Sequence, residues 1–274
     1  MLDLCVRTAQ THMGSYTICR VTWPEALLLF AAGILGGLTG SIAGLASVAT
    51  YPALLLVGLP PVTANVTNTV ALVFNGVGSV WGSRPELAGQ IEWLKGIMPF
   101  ATLGGVAGAA LLLSTPSEGF ERIVPVLLGL AALAILIPVR PKREARVASH
   151  QRHAARLILV GAAVFTICIY GGYFGAAAGV LLLALLLRTG DATLARANAA
   201  KNVVLGTANG VAAVIFAFLA PVQWDAVAAL GVGCLLGSRL GPIVVRHAPA
   251  GPLRAVIGLA GLALAVKLGW DAYR

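Results

Sequence analysis

The sequence predicts an all-α polytopic membrane protein, with about eight transmembrane segments in two homologous four-segment halves and the first segment of each half broken at a glycine cluster. Three observations predict this. Of the 274 residues, 58% are hydrophobic and 11% charged, where a soluble domain carries about 25% charged residues. Apolar runs such as 26–58 and 155–187 leave no polar face to meet water. Glycines and asparagines then recur in the same order later in the chain, which implies duplication.

Residues 1–22 are mixed and weakly polar, without a charged start, a short apolar core and a small-residue cleavage site, so they read as a tail outside the membrane. Beyond them, turn signals cut the chain. Apolar segments near 24–57, 63–83, 93–113 and 120–139 form a first membrane repeat, 23–139, divided by "GLPP", "SRPELAGQ" and "STPSEG". Segments near 155–187, 193–219, 224–245 and 253–270 form a second, 157–274, divided by "RTGD", "APVQ" and "RHAPAGP". Between them, 140–156 sets Arg140, Lys142, Arg143, Arg146, Arg152 and Arg156 against one acid, Glu144. Basic loops between membrane segments stay in the cytoplasm, so the net charge of +9 reads as an orientation signal and not as a nucleic-acid surface. Cys5, Cys19, Cys168 and Cys234 form no C-x-x-C pair, and no disulfide framework is indicated.

The duplication is carried by order. Gly36, Gly40 and Gly44 recur as Gly171, Gly175 and Gly179, 135 positions later. Asn68, Asn75 and Gly76 recur as Asn202, Asn209 and Gly210, and Gly104 and Gly108 as Gly237 and Gly241. Glycines four apart let membrane helices approach closely, the reading we give the last two pairs. The first segment of each half differs, because at about 33 residues it exceeds the roughly 20 that cross a bilayer. It is either one tilted, interrupted helix or a re-entrant hairpin. The first option makes the halves parallel, and the second makes them inverted. Loop charges in the first half favour the parallel arrangement, whereas Arg188, Arg196, Arg246 and Arg254 leave the second half undecided.

The stretch "GGLTGSIAGLASVATYPALLLVGLPPVTANVTNTVALVFNG" resembles the sulfite exporter TauE/SafE family, and its reappearance as "GGYFGAAAGVLLLALLLRTGDATLARANAAKNVVLGTANG" fits that family's duplicated architecture. The resemblance covers roughly 24–270. It implies a multi-pass transporter of a plasma or bacterial inner membrane that exports small anions such as sulfite, sulfonates or other organosulfur compounds. The second cluster departs from the pattern by carrying Tyr173, and Lys201 stands opposite Thr67.

Several chemistries are missing from the sequence. No G-x-x-x-x-G-K-[ST] run marks an ATP site. His12, His150, His153 and His247 fall in the tail or loops, so "GVGSV" around Ser79 has no base at depth and reads as a packing sequence. Glu25, Glu86, Glu92, Glu118, Glu121, Asp191 and Asp225 lie at segment ends or in loops, which leaves no carboxylate for a mid-membrane proton or sodium relay. The reading is therefore a non-enzyme without cofactor or metal.

An anion site needs positive charge and hydrogen-bond donors at depth. Lys201 is the strongest candidate, although at five residues past Arg196, roughly 8 Å of helix, its stem could snorkel to the interface. Asn198, Asn202 and Asn209 share a helical stripe with Gly206, and Asn65, Asn68 and Asn75 form its counterpart. Such amides either replace an anion's hydration shell or glue helices together. Helix ends freed at Gly36, Gly40, Gly44, Gly171, Gly175 and Gly179 would add backbone N–H groups, with hydroxyls from Ser41, Ser47, Thr50 and Tyr173. Arg84 and Arg239 read as interface anchors. The resulting function is a secondary transporter or facilitator of a small anion, its partners that anion and the lipid bilayer, with homo-oligomerisation open. The second reading is a non-transporting membrane assembly or receptor module.

Overall fold

The computed structural model describes residues 8–11, 14–17, 21–116, 118–120, 126, 151–175, 178–189, 193–247, 259, 262–263, 266 and 269–270. Within the tail, strands β1 (Thr8–Thr11) and β2 (Gly14–Thr17) pair antiparallel, with Thr8 opposite Thr17. Beyond it, the regular elements among the described residues are helices: α1 (Trp23–Ala43), α2 (Ala46–Leu56), α3 (Pro61–Gly82), α4 (Arg84–Leu87), α5 (Ile91–Ser114), α6 (Gln151–Tyr173), α7 (Ala178–Thr189), α8 (Leu194–Leu219) and α9 (Trp224–His247). Most of the segments placed near 120–139 and 253–270, and residues 140–150 of the basic loop, lie outside the described residues. Gln151 already belongs to α6, so the helix takes up the end of the stretch read as loop. The run "QRHAAR" consists mostly of good helix formers.

Four helices among the described residues are long and apolar enough to cross a bilayer: α1, α5, α8 and Trp224–Ile243 within α9. Helix α3 is as long, at 22 residues, but buries Thr63, Asn65, Thr67, Asn68 and Thr69, and packs against α9, α8 and α2. Its polar side chains therefore face protein instead of lipid. Start signals are local. Thr22 N–H donates to Glu25 Oε2 at 2.8 Å at the head of α1, and Pro61 opens α3, where its missing N–H costs nothing.

The long first segment of the first half resolves into a helical hairpin. Gly44 adopts a left-handed φ of 75°, closing α1 with its N–H on the Gly40 carbonyl at 2.7 Å, and α2 begins two residues later. A Cβ on Gly36 would strike Thr50, and one on Gly40 would lie 2.6 Å from the Ala46 Cβ, so α2 runs back along α1. In the second half Gly175 has φ 74° between α6 and α7, and a Cβ on Gly171 would sit 3.7 Å from that of Ala178. The two hairpins meet tip to tip, where a Cβ on Gly44 or Gly179 would strike the other residue's backbone.

Two other contacts orient α3 and α8. Near the start of α3, Thr67 Oγ1 accepts from the N–H of Gln223, just past the end of α8, at 3.1 Å. Past the end of α3, the Ala88 carbonyl accepts from Arg196 Nη2 near the start of α8 at 3.1 Å. These two helices, matched to one another by sequence, therefore run antiparallel. They cross at Gly76 and Gly206, with a Cβ on Gly76 only 3.1 Å from the Gly206 Cα. Helix α1 packs on α9, α5 packs on α6, and α3 and α8 lie between these pairs.

Candidate functional site

The polar stripe of α8 faces the end of α1. A helix that stops inside a protein leaves its last carbonyls without intrahelical partners and carries negative partial charge there. Lys201, fully buried, points its Nζ at the Gly40 carbonyl (3.0 Å) and the Ser41 carbonyl (3.4 Å). Asn198 Nδ2 donates to the same Ser41 carbonyl at 2.8 Å, and Asn202 Nδ2 reaches it at 3.5 Å. An ammonium and two amides thus converge on one broken helix end. Lys201 does not snorkel, because the carbonyls it needs lie inside the bundle.

The opposite hairpin receives a smaller version of this arrangement. Asn65 Nδ2 of α3 donates at 2.8 Å to the carbonyl of Tyr173, the last residue of α6. Asn68 turns toward its own hairpin, where its Oδ1 accepts from Thr50 Oγ1 at 2.5 Å and its Nδ2 donates to Ser47 Oγ at 3.1 Å. Ser41 Oγ donates back to the Gly37 and Leu38 carbonyls. The Tyr173 ring packs edge-on to Phe120.

Beside the crossing of α3 and α8 lies a small pocket. It is walled by Gly40, Gly44, Ala46 and Ser47 of the first hairpin, Gly175 of the second, Leu72, Asn75, Gly76 and Ser79 of α3, and Asn202, Leu205, Gly206 and Asn209 of α8. Its volume of about 30 Å³ accommodates two or three water-sized groups. Glycines form much of the wall because their missing side chains are the space. The predicted residues Asn75, Asn202, Asn209, Gly40, Gly44 and Gly175 are brought together here. Lys201 stands behind the wall, touching it through Gly40. Asn68, Ser41, Tyr173, Gly36, Gly171 and Gly179 are not among the lining residues. The sequence reads the run around Ser79 as packing, yet Ser79 lines the pocket, its Oγ donating to the Gly76 carbonyl at 3.1 Å. Its spacing from Asn75, one helical turn, was the available signal. No group of three or more His, Cys, Asp or Glu residues that could hold a metal ion occurs among the described residues.

Fold and pocket together define a class, a multi-pass helical membrane protein whose broken helices meet around polar groups at depth, as transporters do. The chain belongs to the sulfite exporter TauE/SafE family, whose model matches residues 27–268. It is similar to the "Probable membrane transporter protein ORF9" of Sinorhizobium sp, 28% identical over 243 residues covering 88% of this chain and 90% of that one. It is also similar to the "Probable membrane transporter protein YfcA" of Escherichia coli (strain K12), 26% identical over 90% of both chains. A "Probable membrane transporter protein" of Haemophilus influenzae is 23% identical over 89% of this chain and 94% of its own length. This is a multi-pass membrane transporter of the cell membrane.

Proposed function

We infer that the protein is a secondary transporter or facilitator of a small anion, with sulfite, sulfonates and other organosulfur anions as cargo and export as the direction. The observation that carries this reading is the pocket where both hairpin tips meet the α3–α8 crossing, lined by Asn75, Asn202 and Asn209 and backed by Lys201. Its walls belong to elements from both halves, which is where alternating access places a site. The antiparallel run of α3 and α8 supports two duplicated halves, 23–139 and 157–274, related by inversion, in each of which the first of four segments is a hairpin that returns to its own side and the other three cross. Lys201 supplies the charge, and the asparagine amides supply donors. Asn68 and Ser41 shape the hairpin around them.

The test is flux of labelled sulfite in proteoliposomes. Lys201→Ala and Asn202→Ala, each inserted at normal levels, are expected to lower it at least tenfold. Unchanged flux in both would remove the site assignment.

A further inference from the structure

Arg239 stands where a cation is costly. It falls inside Trp224–Ile243, the stretch of α9 apolar enough to cross a bilayer, and Leu236, Leu240 and Ile243 around it are exposed on the outside of the bundle. A guanidinium among lipid-facing side chains is unfavourable, so it either snorkels to the interface or finds an anion. Arg239 lies over the ring of Trp81 on α3, its Cζ 4.3 Å from the centroid.

A second cation shares that ring. Arg84, which opens α4 just past the end of α3, places its Cζ 5.9 Å from the same centroid. An indole attracts a guanidinium through its quadrupole but neutralises no charge. Two like charges gathered at one ring therefore call for an anion. Neither guanidinium makes an ion pair or hydrogen bond with a described residue, although Glu86 follows two residues after Arg84, and Glu92 at the same end is held by Lys95 at 2.8 Å.

The surroundings say what kind of anion. Trp81 is 48% exposed, so its ring is open to the outside of the bundle. Deeper along the two helices α3 presents Phe74 and Val77 and α9 presents Leu236, all exposed. Gly78 and Gly82 hold these helices side by side, since a Cβ on Gly78 would strike Ser238 and one on Gly82 would lie 2.9 Å from the Arg239 carbonyl oxygen. An apolar strip on the lipid-facing surface thus ends in two uncompensated cations.

We propose that Trp81, Arg84 and Arg239 form a seat for an anionic phospholipid of the leaflet at that end, its phosphate on the guanidinium groups and an acyl chain along Phe74, Val77 and Leu236. Arginine suits the role because its planar fork offers paired N–H donors to phosphate oxygens. A zwitterionic lipid carries its own cation beside the phosphate and gains less from the second arginine. The seat is separate from the pocket, which none of the three residues lines.

The experiment reads Trp81 fluorescence in the full chain with Trp23, Trp93, Trp224 and Trp270 replaced by Phe. The chain is placed in phosphatidylcholine vesicles with rising fractions of brominated phosphatidylglycerol or brominated phosphatidylcholine. Half-quenching is expected at a mole fraction at least about fivefold lower for the anionic lipid, and Arg84→Gln together with Arg239→Gln should remove the preference. A chain keeping Trp93 alone, beside the paired Lys95, should show less than about half of it. Inorganic phosphate and glycerol phosphate in the buffer should displace nothing. Equal quenching by the two lipids, an equal preference at Trp93, or displacement by a free phosphate overturns the seat. Absence of quenching by either lipid, the result of a second copy covering this face, overturns it as well. If the tryptophan replacements unfold the chain, thermal unfolding of the unaltered protein in detergent decides. Phosphatidylglycerol should raise its midpoint more than phosphatidylcholine does. That excess should vanish in Arg239→Gln, and its persistence there overturns the proposal.

Discussion

At the scale of single residues, Lys201 is an expensive choice for a purely structural role. The carbonyls it touches have other donors: Gly40 accepts from Gly44 N–H, and Ser41 accepts from Asn198. Replacing a buried charge by an apolar side chain of similar shape removes a desolvation penalty, so Lys201→Met is expected to change unfolding free energy by less than about 1 kcal/mol. Flux should nevertheless fall at least tenfold. Thermal unfolding in detergent beside liposome flux separates the two, and a large loss of stability would make Lys201 a brace for α1. The asparagine spacing made Asn75, Asn202 and Asn209 legible in the sequence. The engagement of Asn68 was not legible, because its partners Ser47 and Thr50 approach only once α2 has folded back along α1.

Among the elements, the hairpins are where sequence pattern and geometry part company. The glycine clusters marked a break, but the choice between a tilted helix and a hairpin depends on Gly44 taking a positive φ, which composition does not encode. The tip contact yields a comparison between two helical glycines. A methyl on Gly179 falls on the Gly44 backbone, so Gly179→Ala is expected to cost about 1–3 kcal/mol through overpacking. A methyl on Gly210 meets nothing within 4 Å, so Gly210→Ala should be neutral or stabilise by up to about 1 kcal/mol. Unfolding midpoints of the two variants check this, and equal effects would mean that the tips do not touch in the membrane.

For the whole molecule, the antiparallel run of α3 and α8 reorganises the loop charges. The parallel arrangement left Arg196 flanking an outside loop, but Arg196 is hydrogen-bonded to Ala88 and so sits at the same end as Arg84. Arg239 stacks over Trp81 at 4.3 Å, at that end too, and Lys95 lies in the first turns of α5 just beyond. The other end, where Thr67 meets Gln223, begins α9 with the acid Asp225. Among the described residues, that first end sets Arg84, Lys95, Arg196 and Arg239 against Glu86 and Glu92, the latter paired with Lys95 at 2.8 Å, and so keeps a basic excess, the distribution that orients a membrane protein with its basic face in the cytoplasm. Loop charges read along the chain missed this because their meaning depends on which helices run together. In a variant whose four cysteines are replaced, Ala88→Cys and Thr193→Cys, both at exposed positions, are expected to react with a membrane-impermeant maleimide only from the cytoplasmic side. Asp225→Cys should react only from the other side. Labelling of Thr193→Cys together with Asp225→Cys and opposite to Ala88→Cys would break the antiparallel pairing of α3 and α8, and with it the inverted relation on which a shared pocket depends.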